Sequence, residues 1–277
     1  MLKVVFDNFS DVYEFRAAIT SRPENKHCKH EARNSSRDFA GMPLDKAYEA
    51  LTAGLPDVVE RLNRDAVKFK TDIASNLNQR RPINYYNGHA PNVPAAIIGL
   101  PKSMRKIIKT PSKVKTITLY FNSWIACGVK AADFEKSGSA VYQLVYWLEK
   151  CGYRVRLYVV PVCCESNGDV NECAVCSVMV KDFRQPLDLL KLSFSLTSIS
   201  MWRRLGFRWI ETVPGLKSSW YAYGHKISAE KSKKCVQAAG HNIDNAFFIM
   251  HEDCSAAGYD PIKLAENLGI KKLMGGD

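Results

Sequence analysis

The chain has 277 residues, 46% hydrophobic and 10% aromatic, with 39 Lys and Arg against 28 Asp and Glu for a formal net charge of +11. These are the proportions of a globular protein able to bury a substantial core, in one embellished α/β domain or two unequal ones. No stretch approaches the roughly 20 uninterrupted apolar residues of a bilayer-spanning helix, which excludes that class of membrane protein.

The opening Met1-Leu2-Lys3-Val4-Val5-Phe6-Asp7 meets an acid where a signal peptide would continue its apolar run, so a cytoplasmic chain without a secretion signal is expected. Val4-Val5-Phe6 reads as a short strand, followed by a helix capped by Ser10, with Glu14 one position beyond the capping-box place. Residues 21–38 turn polar and read as a surface loop. From Pro43 to about Ile73 the apolar residues fall at helical spacing in two pieces, separated by Gly54-Leu55-Pro56. Residues 79–101 carry Pro82, Pro91, Pro94 and Pro101 and cannot form one regular element, so a long functional or linking loop is expected.

The run Thr116–Phe121 is β-branched and aromatic, hence a strand. A helix follows from about Ala131 to Lys150, with Val141, Leu144, Val145 and Leu148 on one face, and Arg154–Val160 is the next strand. Strand, crossover helix and strand make a βαβ unit and a parallel pair in a Rossmann-like sheet. After a polar turn at 164–173, Ala174–Val180 returns as a strand, read as antiparallel at short range. Pro186-Leu187-Asp188 opens a long helix reaching about Leu205, and Phe247–Met250 with Asp260-Pro261 adds a last strand and helix. The fold class expected is α/β: a mixed, largely parallel sheet flanked by helices. An α-rich region spans 1–78, a basic proline-rich connector 79–115 and the sheet domain 116–277.

Charge is the most informative property. Residues 1–60 hold 8 Lys and Arg against 10 acids, residues 61–115 hold 12 against 2, and residues 116–277 hold 19 against 16. A field concentrated in about a fifth of the chain points to a polyanionic partner rather than general solubility. Arg64, Lys68, Lys70, Arg80, Arg81, Lys102, Arg105, Lys106, Lys109, Lys113 and Lys115 are candidates to neutralise phosphates, with Tyr85 and Tyr86 as stacking platforms. That combination suits single-stranded nucleic acid; the competing reading is a solvated basic face. Arg203 and Arg204 join this surface or cap the helix before them, the second being favoured for at least one.

Other constellations are weaker. Nine scattered cysteines suit reduced thiols better than a disulfide framework. Cys173-x-x-Cys176 beside Cys163-Cys164 invites a zinc reading, but adjacent cysteines project to opposite sides of a strand. His27-Cys28-Lys29-His30 has no second ligand cluster of matching spacing. His241, Asp244, His251, Glu252 and Asp253 surround an apolar run; were it a strand through its end, His251 and Asp253 would share a face for a divalent cation or a nuclease centre. Asn122-Ser123-Trp124 ends a parallel strand, where α/β sheets place ligands, but no dinucleotide fingerprint, P-loop or nucleophile elbow accompanies it. No catalytic residue, metal or cofactor is assigned.

In its order of elements, Val114 to about Val213 resembles a von Willebrand factor A-type domain. The adhesion motif of that family begins with an aspartate where this chain has Asn122, which leaves only the scaffold. Phe39–Ala47, Ile98–Met104, Gly138-Ser139-Ala140 leading into Leu148–Val155, and Met201–Phe207 resemble a family of bacteriophage proteins without an assigned function. That resemblance implies a phage origin and gives no reaction; joined to the basic segment, it leads to the expectation of a phage accessory protein in the host cytoplasm, binding single-stranded DNA and assisting transcription or DNA handling, with a phage RNA polymerase or a host protein as a further partner. The alternative is a module that redirects a host or phage protein through its basic surface.

Overall fold

The computed structural model describes residues 3–26, 28–68, 80–109, 115–167, 170–216 and 227–270. In chain order the elements are β1 (Lys3–Phe9), α1 (Val12–Ser21), α2 (Glu31–Asn34), α3 (Arg37–Ala40), α4 (Leu44–Ala53), α5 (Pro56–Lys68), β2 (Arg80–Tyr85), β3 (Ala90–Pro91), α6 (Val93–Ile97), β4 (Met104–Lys109) and β5 (Lys115–Phe121). There follow α7 (Ala131–Lys150), β6 (Tyr153–Val159), β7 (Val162–Asn167), β8 (Val170–Lys181), α8 (Leu189–Thr197), a π-helical turn (Met201–Gly206), α9 (Phe207–Thr212), α10 (Ala229–Ala238), β9 (Ala246–Ile249), α11 (His251–Ala256) and α12 (Pro261–Asn267). No helix among the described residues is long and apolar enough to cross a membrane.

The main sheet is mixed and mostly parallel, in the order β1-β8-β6-β5-β9, with β7 paired to β8. The βαβ unit β5–α7–β6 forms as expected, and β9 adds a further parallel strand beside β5. β8 runs antiparallel to β6 and β7 but parallel to β1, so the N-terminal strand, read from sequence as the opening of a helical region, is built into this sheet.

Alternation along the strands separates two cores. Ile117, Leu119 and Phe121 of β5, Val155, Leu157 and Val159 of β6, and Ala174, Cys176 and Val178 of β8 join one cluster with residues of α1, α4, α5, α7, α8, α9 and α12. Tyr120, Val160, Cys173 and Val175 belong to a smaller second cluster, with Cys235 and Val236 of α10. One face therefore carries a thick helical layer and the other a thin cover.

Several elements differ from the sequence reading, among them the turn expected at 164–173, where β7 runs to Asn167 and β8 starts at Val170. Asp11, not Ser10, caps α1, accepting from the amides of Tyr13 and Glu14 at 2.8 Å each, while Glu14 Oε2 accepts from Ser10 N and Oγ, the residue before the cap. The segment 21–38, expected as a loop, holds α2 and the start of α3. The helix expected to run to Leu205 ends at Thr197, and the chain rewinds as the π-helical turn, where the Trp202 ring lies in the space a Cβ on Gly206 would fill, 2.0 Å from that position.

Arg203 and Arg204 sit on that turn with 3% of their surface exposed. They neither cap a helix nor join a basic surface. Arg203 donates to the carbonyls of Phe39, Ala126, Cys127 and Val129, and Arg204 to those of Ala32, Arg33, Ser35 and Met42. Burial pushes the Arg203 pKa down to about 10, yet eight carbonyl acceptors replace lost water for the pair.

The α7–α8 crossing rests on close approach at Gly138, where an added Cβ would lie 2.0 Å from the carbonyl oxygen of Leu196. Gly138→Ala is expected to lower stability by about 1–3 kcal/mol, read as a shift in denaturation midpoint. Gly128→Ala, with nothing within 4 Å of the added Cβ, is expected to stay within about 0.5 kcal/mol of the parent.

Candidate nucleic-acid interface

The basic segment forms a small antiparallel sheet in the order β2-β4-β3. This corrects the expectation of a loop: the prolines are placed where the missing amide is tolerated, Pro91 on the two-residue edge strand and Pro94 in the first turn of α6. Gly88 is required, since a Cβ there would lie 2.1 Å from the carbonyl oxygen of Arg105. Backbone bonds from His89 N to Arg105 O and from Asn92 N to Ser103 O, at 3.0 and 2.7 Å, close the excursion carrying β3 and α6.

Register decides which side chains meet. Tyr85 pairs with Met104 and Ile83 with Lys106, so these four share a face, while Asn84 and Arg105 lie on the other. The Lys106 ammonium stands 4.6 Å from the centre of the Tyr85 ring and that of Lys102 5.5 Å from the Tyr86 ring. The two tyrosine rings are 5.6 Å apart, edge to face, and both are exposed. Lys102 and Arg105 are exposed, and Lys106 is partly covered, its Nζ donating to Asn87 Oδ1 at 3.4 Å. Between Asp72 and Asp133 the sequence contains no acid, so none on this segment offsets the field.

Tyr85, Tyr86, Lys102, Arg105 and Lys106 are thus brought together. Arg80 and Lys109 are opposite each other in register, and Arg81 is opposite Ile108; the side chains of Lys68, Arg80, Arg81 and Lys109 lie outside the described residues, as do Lys70 and Lys113 altogether. Arg64, on α5, is paired with Glu60 at 3.1 Å, and Lys115, at the start of β5, stands 5.6 Å from the Tyr153 ring. The sequence reading missed Val93, Ile97, Ile98 and Leu100, which are exposed on the excursion between β3 and β4. The signal lay in the short apolar run Val93–Leu100 ahead of Pro101, too short to be a core helix.

The remaining constellations dissolve into structural roles. β9 ends at Ile249, so His251 and Asp253 do not share a strand face: both lie in the first turn of α11, where His251 Nδ1 meets Ser137 Oγ at 2.8 Å and Asp253 Oδ2 accepts from Met250 N at 2.8 Å. His241 belongs elsewhere, to a network on the thin-covered sheet face. Its Nε2 lies 2.8 Å from Asn8 Oδ1, its Nδ1 3.1 Å from Tyr120 Oη, and Asn8 Nδ2 donates to Ala239 O at 2.9 Å. Ser177 Oγ, which donates to Asn8 Oδ1 at 2.6 Å, also lies 2.8 Å from Nε2, so a neutral ring donates from Nε2 toward Asn8 Oδ1 and Ser177 Oγ and accepts the Tyr120 hydroxyl at Nδ1.

Cys173 and Cys176 fall in the two separate cores, on opposite faces of β8, so that CxxC pair cannot converge on one metal. Cys173 is disulfide-bonded, against the expectation that the thiols stay reduced, while Cys28, Cys127, Cys151 and Cys254 are free. Among the described residues Glu24, Cys28 and His30 come close enough to hold an ion, but Arg208 and Arg33 already pair with Glu24 and offset its charge. Asn122 and Ser123 at the end of β5 are buried, Asn122 Oδ1 accepting from Trp124 N at 2.8 Å.

Fold and site together define an α/β protein with a mixed sheet and an added cationic antiparallel module. The chain belongs to the family described as a domain of unknown function, DUF7192, whose model matches residues 1–272. No curated protein and no solved structure matches it.

Burial lowers the pKa of His241, so the fold favours its neutral form. Its contribution is complete above the unfolded value near 6.5 and is lost as pH falls from there through the folded pKa. The melting temperature is therefore expected to drop between pH 7.5 and pH 5.5, and by less in His241→Gln, as a thermal melt at each pH would show.

Proposed function

We propose that this protein binds nucleic acid, single strands by preference, through the β2-β4-β3 module. The observation that carries the reading is the pair of exposed tyrosines, each with a lysine ammonium over its ring, on a segment with no acid between Asp72 and Asp133. Lysine and arginine neutralise phosphates and release counterions, while tyrosine faces stack on bases of any sequence. Lys102, Arg105 and Lys106 take the phosphate role, and Tyr85 and Tyr86 the stacking role. The resemblance of several segments to bacteriophage proteins supports an accessory place in phage transcription or DNA handling, with a polymerase as a partner. No reacting group is assigned, and the module's work is to hold a strand.

Anisotropy of a labelled single strand across a salt series tests this. The affinity is expected to fall steeply with salt, and the triple variant Lys102→Ala, Arg105→Ala, Lys106→Ala to show a slope shallower by about 2. Tyr85→Ala and Tyr86→Ala are each expected to weaken binding by about tenfold, leaving the slope unchanged. Absence of binding at low salt would remove the reading and leave an acidic protein as the partner to seek.

A further inference from the structure

Of the nine large hydrophobic side chains exposed on the described surface, six lie between residues 85 and 100. Ile97 is 80% exposed, Ile98 71%, Val93 57% and Leu100 48%, beside Tyr86 at 63% and Tyr85 at 38%. Such a concentration marks a contact surface rather than the scattered exposure normal on a globular protein.

The aliphatic groups are held outward by an ordered backbone. Gly99 takes φ +70° as the left-handed residue after α6, where Leu100 N donates to Ala95 O at 2.9 Å and Gly99 N to Ala96 O at 3.1 Å, closing the helix end. Asn92 Nδ2 donates to Asn84 Oδ1 at 3.0 Å, tying the base of the excursion to β2. Ile97 and Ile98 lie at the end of α6, in the excursion between Tyr85 and Tyr86 at the end of β2 and the cations Lys102, Arg105 and Lys106 at and before β4.

Phosphate attraction accounts for Lys102, Arg105 and Lys106 but not for four solvated aliphatic side chains. The partner has to be polyanionic at its rim and apolar and flat at its centre. The terminal base pair of a duplex has that chemistry: its open face is planar and apolar, and phosphates border it. Proteins already use isoleucine and leucine as wedges against base steps. A lipid surface shares the charge, but interfacial helices carry Lys and Arg on a polar face opposite their apolar one, and α6, Val93–Ile97, has no charged residue.

We propose that the module recognises the junction between single and double strands: Ile97 and Ile98 cap the last base pair, and the unpaired strand leaves over Tyr85 and Tyr86. This rests on the nucleic-acid reading above and adds to it the substrate class.

Three labelled probes of equal nucleotide count separate the possibilities: a single strand, a blunt duplex and a forked duplex with 2-aminopurine at the last paired position. Wild type is expected to bind the fork about tenfold or more tightly than the single strand and to change the 2-aminopurine emission. The double variant Ile97→Ser, Ile98→Ser, whose changes lie at exposed positions and whose melting temperature serves as the folding control, is expected to lose that preference to within about twofold. Its affinity for the single strand and its salt slope should stay as in wild type. Equal binding of fork and single strand by wild type, or equal weakening of both by the variant, overturns the junction proposal while leaving the nucleic-acid reading intact. Failure to bind any probe at low salt removes both. In that case, sedimentation with phosphatidylglycerol vesicles that the double variant loses would assign the tip to lipid instead.

Discussion

Eight backbone carbonyls from two distant stretches of chain converge on the guanidinium groups of Arg203 and Arg204, and much of the architecture hangs on that convergence. Residues 32–42 and 126–129 are irregular or barely helical, so their carbonyls lack the partners a long helix or sheet would provide. A guanidinium offers five donors in a fixed plane and cannot readily shed its charge, which suits it to collecting such acceptors. Breaking the arrangement would leave both a buried cation and a set of orphaned carbonyls. The neighbouring groups extend the same pattern: Arg208 pairs with Glu24 and donates to Ile19 O, while Asp7 on β1 receives both Arg22 and the indole of Trp209. The N-terminal helices are therefore fixed to the sheet by polar ties as well as by apolar packing.

The cationic module contrasts with this body. Within the body, Arg203, Arg204 and Arg208 are buried and internally satisfied; in the module, Lys102 and Arg105 are exposed together with aromatic and aliphatic groups. That separation divides labour, one part supplying stability and the other a surface whose properties are set by what it leaves exposed. Because the exposed groups contribute little to the core, the surface can be altered without dismantling the scaffold.

The β5–α7–β6 unit was legible in sequence because its two periodicities are clean: a β-branched run, then Val141, Leu144, Val145 and Leu148 at helical spacing. The final helix was legible from Asp260 and Pro261, which occupy the cap and first-turn places expected of them. What escaped was non-local. Arg203 and Arg204 read as surface residues because nothing nearby in sequence reveals acceptors some 70 to 170 positions away. In the basic segment the composition was plain, but its strands were hidden by prolines whose tolerance depends on lying at an edge or a helix start. Tyr85 and Tyr86 were found through their basic neighbours, whereas Ile97 and Ile98 were passed over, since a sequence shows that residues are apolar without showing that they are outside.

The pairing of β1 with β8 has a consequence for how the chain comes to be folded. Lys3 is opposite Glu172 and Phe9 opposite Val178, so β1, once made, cannot find its place until about 170 more residues have followed it. At about 5–20 residues per second, that wait is on the order of ten to thirty seconds. Throughout it, the apolar residues of β1 and α1 lack their final cover, and the contacts they eventually form span a large loop, which slows closure. Synthesis of this protein thus includes an interval in which β1 and α1 are a temporary client for whatever shields nascent hydrophobic segments.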